Sequence, residues 1–168
     1  KKEKSFTPTT FSILHCTDFA NRWENGIYPL LKAGAIVLAD RYIYTAFARD
    51  AVRNCDPGWV RRVYSFAVNP TITFFFQTSL EVALGRILSG RPKLKYHEAG
   101  MDLNLSDDPY ESFRIFQGRV YEEYKKLIKE YEMVVINATR PVEVQQEQVR
   151  KYIREHINLS QFKWRSYK

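Results

Sequence analysis

The chain has 168 residues, 45% of them hydrophobic and 27% charged, which is the composition of a folded domain and excludes a disordered one. Seven Gly and seven Pro exclude collagen-like and low-complexity chains, while two cysteines, Cys16 and Cys55, are too few for a disulfide framework and read as a reduced, cytosolic pair. The 26 basic residues against 19 acidic ones leave a net charge of +7, which suits a phosphate-bearing partner without choosing between nucleotide and nucleic acid.

No apolar run approaches the roughly 20 residues of a membrane span. Lys1-Lys2-Glu3-Lys4 has no hydrophobic stretch behind it, so no signal peptide is expected. Residues 1–168 read as one domain with a core over 11–156. Thr9 or Thr10 is positioned to cap a helix over 11–33, whose apolar residues recur at three- and four-residue steps, with Pro29 as a late kink and Gly34 as its stop. Ala35-Ile36-Val37-Leu38-Ala39 is an unbroken apolar run and predicts a strand buried on both faces, with Asp40-Arg41-Tyr42 at its carboxyl end. Helices follow over 44–54 and, after the turn Asp56-Pro57-Gly58, over about 58–67. Pro70 to Phe76 predicts a second strand, and Thr78 or Ser79 caps a helix through Leu88. Residues 89–108 read as a long, functional loop. A long amphipathic helix spans 109–131, a third strand 133–136 and a last helix 142–156, with a basic, aromatic tail behind it. Strands alternating with helices predict an α/β fold on a parallel sheet, although three strands are few for so many helices.

Chemistry concentrates in two places. Asp40-Arg41 puts a carboxylate beside a guanidinium at a strand end; Arg offers paired donors to phosphate oxygens, and Asp can hold a hydrated magnesium ion. Arg86, Arg91, Lys93 and Lys95 form a basic cluster where a helix enters the long loop, as in a lid that closes over a phosphate chain. A capping Asp with a surface Arg, and an ordinary charged loop, explain the same residues without function. Gly85 to Pro92 mimics a phosphate loop but carries Arg91 and Pro92 where Lys and a hydroxyl are required, and it ends a helix instead of joining strand to helix. His15, Cys16 and Cys55 lack zinc-ligand spacing.

Taken in order, these segments resemble thymidylate kinase and its relatives among the P-loop nucleoside monophosphate kinases. The resemblance is carried by Ile13 to Phe19, Pro29-Leu30-Leu31-Lys32-Ala33-Gly34, Asp40-Arg41-Tyr42, Pro70-Thr71-Ile72-Thr73, Val82 to Arg91, Phe116 through Val120 to Tyr124, and Val135-Ile136-Asn137-Ala138-Thr139-Arg140. It covers about residues 11–150. It implies a three-layer α/β/α fold and transfer of the γ-phosphoryl group of ATP, with Mg2+, to a nucleoside monophosphate, dTMP or a related nucleotide. It implies catalytic roles for Asp40, Arg41 and Arg91, with Asp40 reaching magnesium through water. It implies an acceptor site of His15, Phe19, Arg41, Tyr42, Thr45 and Arg49. Arg86, Arg91, Lys93 and Lys95, in a lid over about 89–108, and Thr139 and Arg140 beside adenine would then serve ATP.

Three departures stand out. The family's thymine-stacking Phe is His15 here, and its base-reading Arg is Phe19; Lys95-Tyr96-His97-Glu98 keeps only the Glu of the lid motif; and the phosphate loop, with the sheet's first two strands, is absent. The expectation is therefore a C-terminal portion of a kinase, inactive by itself, cytoplasmic, with a homodimer possible through the helix at 11–33 and no membrane or nucleic-acid partner. The alternative is a degenerate kinase-like domain that binds nucleotide or nucleic acid without turnover, drawing on the tail's Phe162, Trp164 and Tyr167.

Overall fold

The computed structural model describes residues 6–91 and 93–162. Helix α1 (Pro8–Arg22) is capped by Thr7, whose hydroxyl accepts from the Thr10 amide at 3.3 Å, with Pro8 in the first turn, where its missing N–H costs nothing. The helix thus starts at Pro8 rather than Phe11, and neither Thr9 nor Thr10 is its cap. Nor does it run unbroken to 33: Trp23–Ile27 is a π turn and α2 (Tyr28–Lys32) follows it. Pro29 has no N–H for the preceding turn, and the widened turn lies immediately upstream of it.

The largest correction concerns residues 35–39, which take no regular secondary structure and enter no ladder. Leu38 is 87% exposed. A strand needs a neighbour for its N–H and C=O groups, and among the described residues none lies alongside this segment. An apolar run without a partner does not become a buried β-element.

Helices α3 (Ile43–Val52) and α4 (Pro57–Val63) follow, the second capped by the Asp56 carboxylate, which accepts from the Trp59 amide at 2.6 Å. Strand β1 (Phe74–Gln77) starts later than the expected Pro70; Thr73 contributes only a carbonyl, accepting from the Val134 amide at 2.9 Å. Helix α5 (Leu80–Gly90) is capped by Ser79 and contains both Gly85 and Gly90, so the two glycines of the phosphate-loop mimic are helical. The loop beyond it holds a 3-10 turn, Met101–Leu103. Helix α6 (Pro109–Glu130), strand β2 (Val134–Asn137) and helix α7 (Val142–His156) complete the order, before a last 3-10 turn, Leu159–Gln161.

β1 and β2 pair in parallel, Phe74 opposite Val134 through Gln77 opposite Asn137, with α5 and α6 in the crossover. Adjacent β1 side chains leave on opposite faces. Phe75 meets Tyr124 of α6 at 5.1 Å between centroids, and Phe74 meets Tyr152 of α7 at 5.8 Å. The fold is therefore α/β, helices covering both faces of a parallel sheet that has, among the described residues, two strands rather than three. The main core joins Phe19, Trp23, Tyr44, Phe47, Val60, Tyr64, Leu127 and Met133; a smaller one joins Leu84, Ala99 and Phe113 under the loop. Of the tail, Trp164 and Tyr167 lie outside the described residues. Among those described, no helix is long and apolar enough to cross a membrane.

Candidate functional site

Asp40 and Arg41 stand exposed on the bend that leads into α3. Arg41 has φ +63°, the left-handed region, which costs a non-glycine residue about 1–2 kcal/mol. Neither residue makes a side-chain hydrogen bond or ion pair among the described residues. Tyr42 behind them is anchored: its hydroxyl donates to the Val68 carbonyl at 2.9 Å, and burial, with Tyr44 nearby, pushes its pKa up to about 12. Thr45, one turn into α3, accepts a hydrogen bond from the Tyr124 hydroxyl at 3.2 Å. No three His, Cys, Asp or Glu side chains gather into a metal-binding group among the described residues. Asp40, a single exposed carboxylate, suits a water-mediated contact to a cation carried on a ligand.

Phe19, which the resemblance implies in the acceptor site, lies in the core. It is 5% exposed, edge-on to Tyr42 at 5.2 Å and packed on Tyr64 at 5.7 Å, so it belongs to the core that supports Tyr42. His15, one turn earlier on α1, is exposed and lies against the Phe11 ring at 4.5 Å. Loss of water on that side, followed by the positive charge of Arg49, lowers its pKa below the ordinary 6.5.

Arg49 and His15 meet at Phe11, whose ring has Arg49 at 5.1 Å, Arg53 at 4.7 Å and His97 at 5.1 Å. Two buried carboxylate pairs surround it. Arg49 donates from Nε and Nη2 to Asp50 at 2.7 and 3.2 Å, and the Ser12 hydroxyl donates to the same carboxylate at 2.6 Å. Arg53, only 2% exposed and 4.6 Å from the Phe116 ring as well, donates to Asp102 at 2.8 and 3.2 Å and to the His97 carbonyl at 3.1 Å. Sequence reasoning missed Ser12, Asp50, Arg53, Asp102 and Phe11. A signal existed for Asp50: it falls on the apolar stripe of α3 with Ile43, Ala46 and Phe47, where an ionised group needs a partner.

The basic cluster divides. Arg86 donates from Nη2 to the Ala138 carbonyl at 2.8 Å and so ties α5 to the turn that carries Thr139 and Arg140. Gln145 braces the same turn, donating to the Arg140 carbonyl at 2.6 Å, while the Asn137 carboxamide oxygen accepts from the Thr139 amide and hydroxyl. Thr139 and Arg140 are exposed at the carboxyl end of β2. Arg91 pairs with Glu98, which also accepts from the Lys95 amide at 3.3 Å. Lys93 and Lys95 project into solvent. The structure thus gathers Arg86 with Thr139 and Arg140, Arg91 with Lys95, and His15 with Arg49; Phe19 and Tyr42 meet within the core.

Comparison with known proteins gives the family. A family model described as thymidylate kinase matches residues 1–149. The chain is 44% identical over 162 residues to "Probable thymidylate kinase 2" of Saccharolobus solfataricus, covering 95% of this chain and 76% of that protein. It is 31% identical over 139 residues to "Probable thymidylate kinase" of Thermococcus kodakarensis, covering 82% of this chain and 61% of that one, less than two thirds of its length. It is 29% identical over 157 residues to "Thymidylate kinase" of Lactobacillus acidophilus, covering 89% and 67%. A parallel sheet covered by helices, an Asp-Arg-Tyr turn leading into α3 and matches spanning most of the chain lead to one assignment: the chain belongs to the thymidylate kinase family.

Proposed function

We propose that the protein transfers the γ-phosphoryl group of MgATP to a nucleoside monophosphate, dTMP before others. The observation that carries this reading is the Asp40-Arg41 bend, where a guanidinium sits on a left-handed backbone without an ion-pair partner among the described residues. A left-handed backbone at a non-glycine residue is unfavourable for folding alone and suits a residue kept for an anionic ligand. Phosphoryl transfer needs alignment and charge neutralisation more than covalent chemistry, so cations around the phosphates suffice.

In this reading Arg41 grips the acceptor phosphate with paired N–H donors, and Asp40 holds the magnesium of MgATP through water and orients Arg41. Tyr42 and Thr45 line the acceptor nucleoside, with His15 and Arg49 toward its base and Phe19 as their support. Arg86, Arg91, Lys93 and Lys95 belong to the lid over about 89–108 that covers the ATP phosphates, Arg91 exchanging Glu98 for phosphate oxygen as charge develops. Thr139 and Arg140 flank adenine. Two unpaired, buried thiols, Cys16 and Cys55, suit a reducing cytoplasm. The non-catalytic binder has no supporting observation of comparable weight.

The test is a coupled assay on the full-length protein with ATP, Mg2+ and dTMP. Arg41→Ala is expected to lower kcat/KM by about 10²–10³, the scale of losing a preorganised charge-stabilising donor. An undiminished rate in that variant removes Arg41 from the reaction.

A further inference from the structure

Three successive carbonyls of the long loop are each held by a side chain from the body of the protein. Arg53, at the end of α3, donates to the His97 carbonyl at 3.1 Å; Gln117 of α6 donates to the Glu98 carbonyl at 3.0 Å; Ser112 of α6 donates to the Ala99 carbonyl at 2.7 Å. Arg53, Ser112 and Ala99 are buried, and Gly100 beyond them lies against Phe116. The backbone at Glu98 is therefore fixed to α3 and α6. Its carboxylate pairs with Arg91 and accepts from the Lys95 amide at 3.3 Å. Arg91 stands at the carboxyl end of α5, and its guanidinium has no other hydrogen-bond partner among the described residues. Of the four cations read as covering the ATP phosphates, it alone carries a carboxylate counter-ion among those residues. The two side chains are 30% and 29% exposed, and a pair so open to water adds little to stability. Its consequence lies in what it keeps Arg91 from.

We propose that Glu98 is a built-in competitor of ATP: a fixed counter-ion that occupies Arg91 in the free protein and sets the affinity for the triphosphate through the strength of that pair. This rests on the reading of Arg91 as a ligand of the ATP phosphates and adds that its exchange of Glu98 for phosphate begins at binding. A guanidinium already paired with a carboxylate is neutralised and has a donor engaged, so it takes a second anion only by giving up the first. Because the loop backbone is held at His97, Glu98 and Ala99, the carboxylate cannot travel with Arg91 toward a ligand. Arg91 is therefore the moving half of the pair and Glu98 the stationary half. A ligand that needs Arg91 free binds with an apparent affinity reduced by the fraction of molecules in which it is free. A triphosphate, with several charged oxygens, draws the guanidinium off; a weaker anion leaves it on Glu98.

The experiment is calorimetric binding of MgATP to the full-length protein, to Glu98→Gln, to Arg91→Ala and to the double variant, with dTMP turnover assayed alongside. Glu98→Gln keeps an acceptor for the Lys95 amide but removes the charge. It is expected to tighten MgATP about threefold, the scale of releasing a partly exposed ion pair. Arg91→Ala is expected to weaken MgATP, and on that background the gain from Glu98→Gln should vanish. A folded Glu98→Gln that binds MgATP equally or more weakly overturns the proposal, as does a gain that persists without Arg91. Should Glu98→Gln fail to fold, NMR of the wild type decides. Added MgATP should shift the Arg91 Nε–H resonance and leave the Ala99 and Gly100 amides in place; an Arg91 resonance that stays put, or loop amides that move with it, overturns the proposal. Turnover beside any of these overturning results strikes this inference alone, whereas absence of both turnover and MgATP binding strikes the kinase reading with it.

Discussion

Gly100 shows how closely the long loop approaches the body of the protein. Its φ of +68° is left-handed, and a Cβ there would lie 2.6 Å from Cβ and Cγ of Phe116. Gly100→Ala should therefore lower stability by about 2–4 kcal/mol, combining left-handed strain with overpacking, measured as a shifted urea midpoint at constant m. His15 offers a second measurement at this scale. Its imidazole should titrate below 6.5 by NMR, and Arg49→Gln should move the midpoint upward, because a neighbouring positive charge is removed while Asp50 stays. The sign for stability follows. A histidine whose folded pKa is depressed binds its proton more tightly when unfolded, so its contribution is complete above 6.5 and is lost as pH falls toward the folded value. His15 and Arg49 entered only through the family resemblance, whereas Arg41 was legible in the sequence because it stands with Asp40 at the end of an apolar segment. Asp50 and Ser12 were not, because Arg49 beside Asp50 looks like a solvated charge pair until the helix is turned and the carboxylate is found inside.

Among the elements, those that carry their own boundary chemistry were the readable ones. Ser79 and Pro109 mark starts by side-chain capping and by a fixed φ, and α7 over Val142–His156 coincides with its expected span. Residues 35–39 failed for a different reason: apolar content is local, whereas a strand is a relation between two segments. The loop between α5 and α6 was legible only in outline. Its 97–103 portion is clasped to α3 by Arg53 and Asp102, and to α6 by Ser112, whose hydroxyl donates to the Ala99 carbonyl at 2.7 Å. Nothing in the spacing of Arg53 and Asp102 announces that ion pair, 49 residues apart in sequence. Asp102→Ala should destabilise by about 3–5 kcal/mol, since it leaves a guanidinium buried without its counter-charge; chemical denaturation measures it. Retained stability would mean that the pair is dispensable to the clasp.

At the scale of the molecule, the apolar surface of α1 and α2 is unspent: Ile13, Leu14, Leu30 and Leu31 are between 38% and 49% exposed. We expect a homodimer through these helices, and Leu14→Asp should shift the sedimentation-equilibrium mass of the full-length protein from two copies to one. The α/β layering was readable from alternation alone, yet the sheet has one strand fewer than expected, and the cations were readable as a group but not as the separate clusters into which packing sorts them. Phe11 is where that sorting is most compact, one benzene ring touched from α1, α3 and the loop. Leucine would fill comparable space there, but it has no quadrupole, no electron-rich face for two guanidinium groups to share. The tolerance of position 11 to substitution is therefore governed by ring electronics as well as volume: an aromatic replacement preserves what the arginines lean on, and an aliphatic chain of the right size does not.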